Sequence, residues 1–126
     1  MISYLDTQVA VWLASGTLKR LTPASIAALT NFQLIISSVV LLELEYLFEI
    51  GRLKLRADDI LLKLKTEAGV AVCELSLASV GKVALNEKWT RDPFDRLIVS
   101  NAKANGFAAL ITSDELIREN YPRAIW

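Results

Sequence analysis

Short apolar runs that close on a polar residue and lead at once into a helix start recur along this chain. That alternation constrains the fold more than any single motif. Ile2 to Leu5 closes on Asp6-Thr7, Gln33 to Ile36 on Ser37-Ser38, Val70 to Leu75 on Ser76, and Phe107 to Thr112 on Ser113-Asp114. Runs of this length suit buried strands, and Asp, Ser and Thr are the residues that cap free N–H groups at a helix start. Helical patterns fill the intervals. Val9 to Leu13 is broken by Ser15-Gly16, and Thr22-Pro23 is an Ncap–N1 pair opening a helix that stops near Asn31. Ser37 or Ser38 caps a longer helix to Ile50, with Gly51 as its C′ residue. Leu61, Leu62 and Leu64 follow Asp58-Asp59 in a helix that runs to Glu67 and is ended by Ala68-Gly69. Ser76 starts a helix through Leu77, Val80, Ala84 and Leu85, and Asp92-Pro93 opens another that ends near Gly106. Ser113-Asp114 opens a short one, and Ala124-Ile125 offers a last strand. The pattern predicts an α/β fold with a mostly parallel sheet of about four to five strands flanked by helices. In such sheets ligands bind beyond the carboxyl ends of the strands. At 126 residues, with no linker long enough to divide it, the chain is expected to form a single domain over residues 1–126.

The absent residue types narrow the chemistry. There is no histidine and only one cysteine, Cys73. Ser-His-Asp and Cys-His catalysis are excluded, and a structural zinc site lacks its ligands. Cys73 lies between apolar neighbours and reads as a buried small hydrophobe. Any metal must be a hard ion held by carboxylate oxygens. The formal net charge is zero, so a strongly basic nucleic-acid footprint is missing. The longest apolar runs, such as Ile35 to Leu42, fall well short of the ~20 residues a membrane span needs. The start, Met1 to Asp6, has no basic segment before its first acid, and a cytoplasmic location is expected.

Four carboxylates stand where a purely structural account is weak. Asp6 ends the first strand and Asp114 follows the fourth, at the edge where an α/β ligand site is expected; each also suits a helix cap. Glu43 has Ile36, Val39, Val40, Tyr46, Leu47 and Ile50 as helical neighbours, while Glu45 and Glu49 mark the solvent face. A carboxylate so placed needs a partner, either a metal or an arginine such as Arg96. Asp95 is the third residue of the helix that Asp92 caps, on the first turn. Arg96, beside the acids, suits either orienting a carboxylate or gripping a phosphate. Glu67, Asp58, Asp59, Glu87, Glu115 and Glu119 read as solvated charges. If Asp6, Glu43, Asp95 and Asp114 converge, their repulsion calls for Mg²⁺ or Mn²⁺, and phosphodiester hydrolysis is the reaction class that follows.

Tyr4-Leu5-Asp6-Thr7, then Ser37 through Glu43 to Gly51-Arg52-Leu53, then Arg91-Asp92-Pro93-Phe94-Asp95-Arg96-Leu97-Ile98-Val99, then Ile111-Thr112-Ser113-Asp114 form a set that resembles the PIN domain family. More narrowly it resembles the VapC-type toxins of bacterial toxin–antitoxin pairs, over nearly the whole chain. The resemblance implies a PIN-like fold and a metal-dependent endoribonuclease. It makes Asp6 and Asp95 the chief Mg²⁺ ligands and assigns Glu43 and Asp114 to the same acidic site. Thr112 matches the small hydroxyl residue beside it, so Arg96 and Thr112 are the candidate substrate contacts. It further implies homodimerisation, inhibition by a cognate antitoxin protein, RNA such as tRNA or rRNA as substrate, and DNA contact only through the antitoxin. Gln8 stands where many relatives have histidine, which points to altered substrate contacts. Two other readings compete: a catalytically weak PIN-like module acting by partner binding, for which the Leu and Val of the Leu53–Leu64 region speak, and a metal-dependent nuclease or phosphatase acting on another phosphoester. Asparagine can still cap, so Asp92→Asn is expected to leave activity largely intact.

Overall fold

A computed structural model describes residues 1–126. Its strands are β1 (Ile2–Leu5), β2 (Gln33–Ile36), β3 (Ala71–Val72), β4 (Ala109–Ile111) and β5 (Ala124–Ile125). Its helices are α1 (Thr7–Ser15), α2 (Pro23–Asn31), α3 (Ser38–Glu49), α4 (Ala57–Ala68), α5 (Leu77–Ala84), α6 (Pro93–Ala104) and α7 (Glu115–Asn120). The strands form one sheet in the order β3-β2-β1-β4-β5, with every neighbouring pair parallel. The α/β fold and mostly parallel sheet expected from sequence are therefore present, with five strands.

Helix starts follow from the polar residues that close each preceding segment. Asp6, Thr22, Ser37, Ser76, Asp92 and Asp114 each accept a backbone N–H from the helix they precede. At Thr22 the arrangement is reciprocal, since Ser25 Oγ accepts from the Thr22 N–H at 2.9 Å. α4 is the exception: Arg56 stands at its cap position with no side-chain bond to the helix. Glu45 reaches over from α3 instead, accepting from Ala57 N at 3.1 Å and from Arg56 Nη2 at 2.6 Å. Glu45 is thus a docking residue between α3 and α4, not the free surface charge its spacing suggested.

β1 and β4 lie at the centre of the sheet, and their residues from Ser3 to Leu5 and Ala109 to Ile111 are buried. Tyr4, Leu5, Leu110 and Ile111 meet Leu44, Leu64, Ile98 and Ile117 from the helices in one core. Full cover on both faces is why these runs read as unbroken apolar sequence. A polar network is embedded beneath. Tyr4 Oη donates to Cys73 Sγ at 3.0 Å, Asn101 Nδ2 donates to both atoms, and Asn105 Nδ2 donates to Tyr4 Oη at 2.9 Å. Cys73 is a buried core residue, as its neighbours implied.

Three sequence expectations shift. The run Val70 to Leu75 yields only two paired residues, because β3 is an edge strand and Glu74 and Leu75 are exposed past it. The run Phe107 to Thr112 begins pairing at Ala109, because Gly106 and Phe107, at φ 69° and 53°, turn the chain out of α6 first. Glu87 is not solvated: it is 4% exposed and bonded by Lys103 Nζ and, at 2.5 Å, by Trp89 Nε1. A single 3-10 turn, Leu18–Arg20, links α1 to α2.

Tyr4→Phe removes the hydroxyl that buried Asn101 and half-buried Asn105 donate to, at an expected cost of about 1–3 kcal/mol. Urea denaturation should show a lower midpoint with an unchanged slope.

Candidate active site

The chain leaves β1 towards β2 on one side, and enters β5 from β4 on the other, so the strand order reverses between β1 and β4. A crevice opens at the carboxyl ends of two such strands because their connections depart in opposite directions. Asp6 and Thr112 are the first residues past those ends. The ladder continues to Asp6, whose N–H donates to Ile111 O at 3.0 Å.

Asp6 is 8% exposed and held on both oxygens: Oδ1 accepts from Thr7 N at 2.8 Å and Oδ2 from Thr112 Oγ1 at 2.6 Å. The same Thr112 oxygen accepts the Asp114 N–H at 3.1 Å, which ties the two acids through one hydroxyl. Asp114 in turn caps α7 through Oδ1 to Ile117 N at 2.9 Å. Thr7, the first residue of α1, turns its hydroxyl to Glu43 Oε1 at 2.5 Å. Glu43 is half-buried on the second turn of α3. α3 packs against α6, and the rings of Tyr46 and Phe94 lie 6.4 Å apart across that contact. Phe94 precedes Asp95, so this tilted ring contact seats the first turn of α6 beside Glu43.

The electrostatics show that the acids share one region. Asp6 is raised above the ordinary carboxylate range by burial, opposed by its bonds from Thr112 and Thr7, with Asp114 and Asp92 adding repulsion. Glu43 is raised by burial, opposed by Thr7, with Asp6 and Asp92 adding repulsion. Asp95 is pushed up to about 7 by burial, then by repulsion from Asp92, Asp6, Asp114 and Glu43. Asp95 therefore feels each of the other three predicted acids, and Asp92 as a fifth carboxylate. Asp92 does cap α6, with Oδ1 accepting from Phe94 N at 2.9 Å and Asp95 N at 3.2 Å. It also contributes the largest charge effect on Asp95, a second role that its fit as a cap concealed.

The structure narrows the roles of two further side chains. Arg96 orients no carboxylate: its Nη2 donates to Ala84 O at 2.8 Å, at the end of α5, and the chain's two ion pairs join Arg56 to Glu45 and Lys103 to Glu87. Arg96 lies one residue beyond Asp95 on α6, about 100° round the helix, and its guanidinium is held at the α5 end by that bond. Thr112 is fully buried with its hydroxyl donating to Asp6, so it orients that acid from beneath. Thr7 was visible only as the neighbour of Asp6; its link to Glu43 spans 36 residues and leaves no mark in local sequence. Gln8 is exposed beside Asp6 at the start of α1.

No three of the carboxylates converge tightly enough to enclose an ion between them. The donor set nevertheless fits a hard divalent cation: all oxygen, anionic, and with no lysine or arginine paired to any member. Mg²⁺ keeps several waters and takes one or two carboxylates, so it does not require a closed protein cage.

The chain belongs to the PIN domain family, whose description matches residues 3–121. Members of that family are generally nucleases and generally use divalent metals. Among solved structures it is similar to VapBC2 from Rickettsia felis bound to a DNA fragment from their promoter. That likeness has a TM-score of 0.61 and 22% identity, over 98% of this chain and 96% of the other, and it bears on the fold. No curated protein matches the chain.

A carboxyl group raised to about 7 binds more protons when folded than when unfolded between pH 3.8 and about 7. Stability of the metal-free protein is therefore expected to fall as pH rises through that window. Asp95→Asn should flatten this dependence and raise the melting midpoint at pH 8 by a few degrees in the presence of a chelator. Asp92→Asn should move the same transition to lower pH while keeping the cap.

Proposed function

We propose that this chain is a metal-dependent endoribonuclease, the toxin component of a VapC-type toxin–antitoxin pair, acting as one domain over residues 1–126. One observation carries the reading: the strand order reverses where five carboxylates gather, and no lysine or arginine is paired with any of them. Membership of a family of nucleases supports phosphodiester hydrolysis as the reaction.

Asp6 and Asp95 are the chief ligands for Mg²⁺ or Mn²⁺, with Glu43 and Asp114 completing the acidic rim. The bound ion would activate water and stabilise charge on a phosphoryl oxygen. Thr112 and Thr7 fix the carboxylates of Asp6 and Glu43, so little reorganisation is needed when substrate arrives. Glu43 stands at the half-open edge, suited to position the attacking water. Asp95, with no hydrogen-bonded side-chain partner, keeps both oxygens available.

A cognate antitoxin protein and a second copy of the chain are the expected partners, and the VapBC2 likeness supports the first. DNA contact would come through that antitoxin. Leu42 and Tyr46 on α3 and Ile50 at its C-cap form an exposed stripe at four-residue spacing, and Leu55 and Leu62 are exposed nearby in sequence, which suits protein contacts. Ile60 and Leu64 face the core, so only part of the Leu53–Leu64 region is free for partners. No helix is long and apolar enough to cross a membrane, and the cytoplasm is the proposed location.

Purified protein free of any antitoxin is expected to cleave RNA with Mg²⁺ or Mn²⁺ and not with chelator. Asp6→Asn and Asp95→Asn should abolish cleavage, and Thr112→Val should lower it about 10–100-fold by loosening Asp6. A panel of structured RNA, single-stranded DNA, flap DNA and small phosphoesters fixes the substrate class. Folded protein that cleaves none of them with either metal would refute the enzyme reading and leave a binding module.

A further inference from the structure

The loop between α5 and α6 gathers cations as consistently as the sheet edge gathers acids. Lys88, Arg91 and Arg96 alone line a hollow of about 210 Å³. It adjoins a second hollow of about 280 Å³ that shares Arg91 and Arg96 and is floored by Ala84, Leu85, Pro93 and Leu97. None of the three takes part in an ion pair. Of the acids nearest in sequence, Glu87 turns inward to Lys103 and Trp89, Asp92 Oδ1 accepts from the α6 backbone, and Asp95 joins the acidic group without pairing to any of the three cations. Three like charges round one cavity repel unless an anion joins them. Arg96 is already fixed, its Nη2 bonded to Ala84 O, so one guanidinium is pre-oriented. Lys88 and Arg91 are exposed and free to close on a ligand.

The ligand chemistry follows from the donors. Two planar guanidinium forks and one ammonium suit the tetrahedral oxygens of a phosphate group. Its position follows from the chain: Arg91 precedes Asp92 and Arg96 follows Asp95, so the basic hollow and the acidic site share the first turn of α6. A polyanion approaching five carboxylates needs positive charge close by, and the chain's zero net charge provides no general attraction.

We propose that Lys88, Arg91 and Arg96 form a subsite for a backbone phosphate of single-stranded RNA, flanking the phosphodiester presented to the acids. This rests on the nuclease reading for its orientation, and on the cavity for its chemistry.

The test is the affinity of a fluorescently labelled single-stranded RNA of mixed sequence, read by anisotropy across a salt series, alongside its cleavage. The variant Lys88→Ala/Arg91→Ala spares Arg96, which holds α5. It should bind about tenfold more weakly, and the slope of log affinity against log salt should fall by about 1.4, near 0.7 for each lost phosphate contact. In cleavage, KM should rise with kcat nearly unchanged, and Arg91→Lys should recover part of the loss. Lys19→Ala/Arg20→Ala is the control: α1 runs back from the carboxyl edge of the sheet, so these exposed cations lie towards its other end. Equal weakening by the control, or unchanged affinity and slope in the first variant, would overturn the subsite. Unlabelled RNA should compete far better than inorganic phosphate at matched ionic strength; parity between them would also overturn it. If wild-type protein binds RNA through this hollow yet cleaves nothing, the subsite stands and the nuclease reading falls.

Discussion

Holding like charges together at the mouth of an apolar core is the constraint on which the rest of this structure depends. Asp6 is buried at the end of a central strand, where an unpartnered carboxylate is costly. Two hydrogen bonds offset that cost, one from the Thr7 backbone and one from the Thr112 hydroxyl. Both come from residues adjoining the carboxyl ends of β1 and β4, so the parallel pairing of those strands is itself what makes the acid tolerable. The strain that remains appears at Asp95, which has repulsion from four neighbours and no hydrogen-bonded side-chain partner to relieve it.

The supports around the acids are arranged in a chain. Thr112 joins Asp6 to Asp114, Thr7 joins the start of α1 to Glu43, and the Tyr46–Phe94 contact joins α3 to the first turn of α6. Acids from the starts of α1, α6 and α7 and from the middle of α3 are thus linked through their neighbours. Small hydroxyl residues do this well, because they donate to a carboxylate without adding charge or bulk. The first turn of α6 is then divided between two chemistries, with Asp92 and Asp95 towards the acids and Arg91 and Arg96 towards the cationic hollow.

Much of the fold was legible because its signals are local. Thr22-Pro23, Ser76 and Asp92-Pro93 mark helix starts through contacts spanning two or three residues, and the structure has helices beginning at each. Strand lengths were less legible. Whether Val70 to Leu75 pairs along its whole length depends on how much of β2 lies beside it, and an edge position leaves most of that run unpaired. α4 shows the same limit from the other side: its start is satisfied by Glu45, twelve residues earlier, and no local residue announces this.

Within the site, the sequence by itself determined which residue types were available: carboxylates, hydroxyls and no imidazole, placed at strand ends and a helix start by capping preferences. It also marked Glu43 as out of place on an apolar helical face. Only the tertiary structure decided which of these meet. It brought Asp92 into the acidic group, turned Arg96 away from the carboxylates to the end of α5, buried Thr112 beneath Asp6 and drew Glu87 inward to Lys103. The physical reason is range: capping and periodicity act over a few residues, whereas electrostatic repulsion and burial act through space among residues that only the folded sheet makes neighbours.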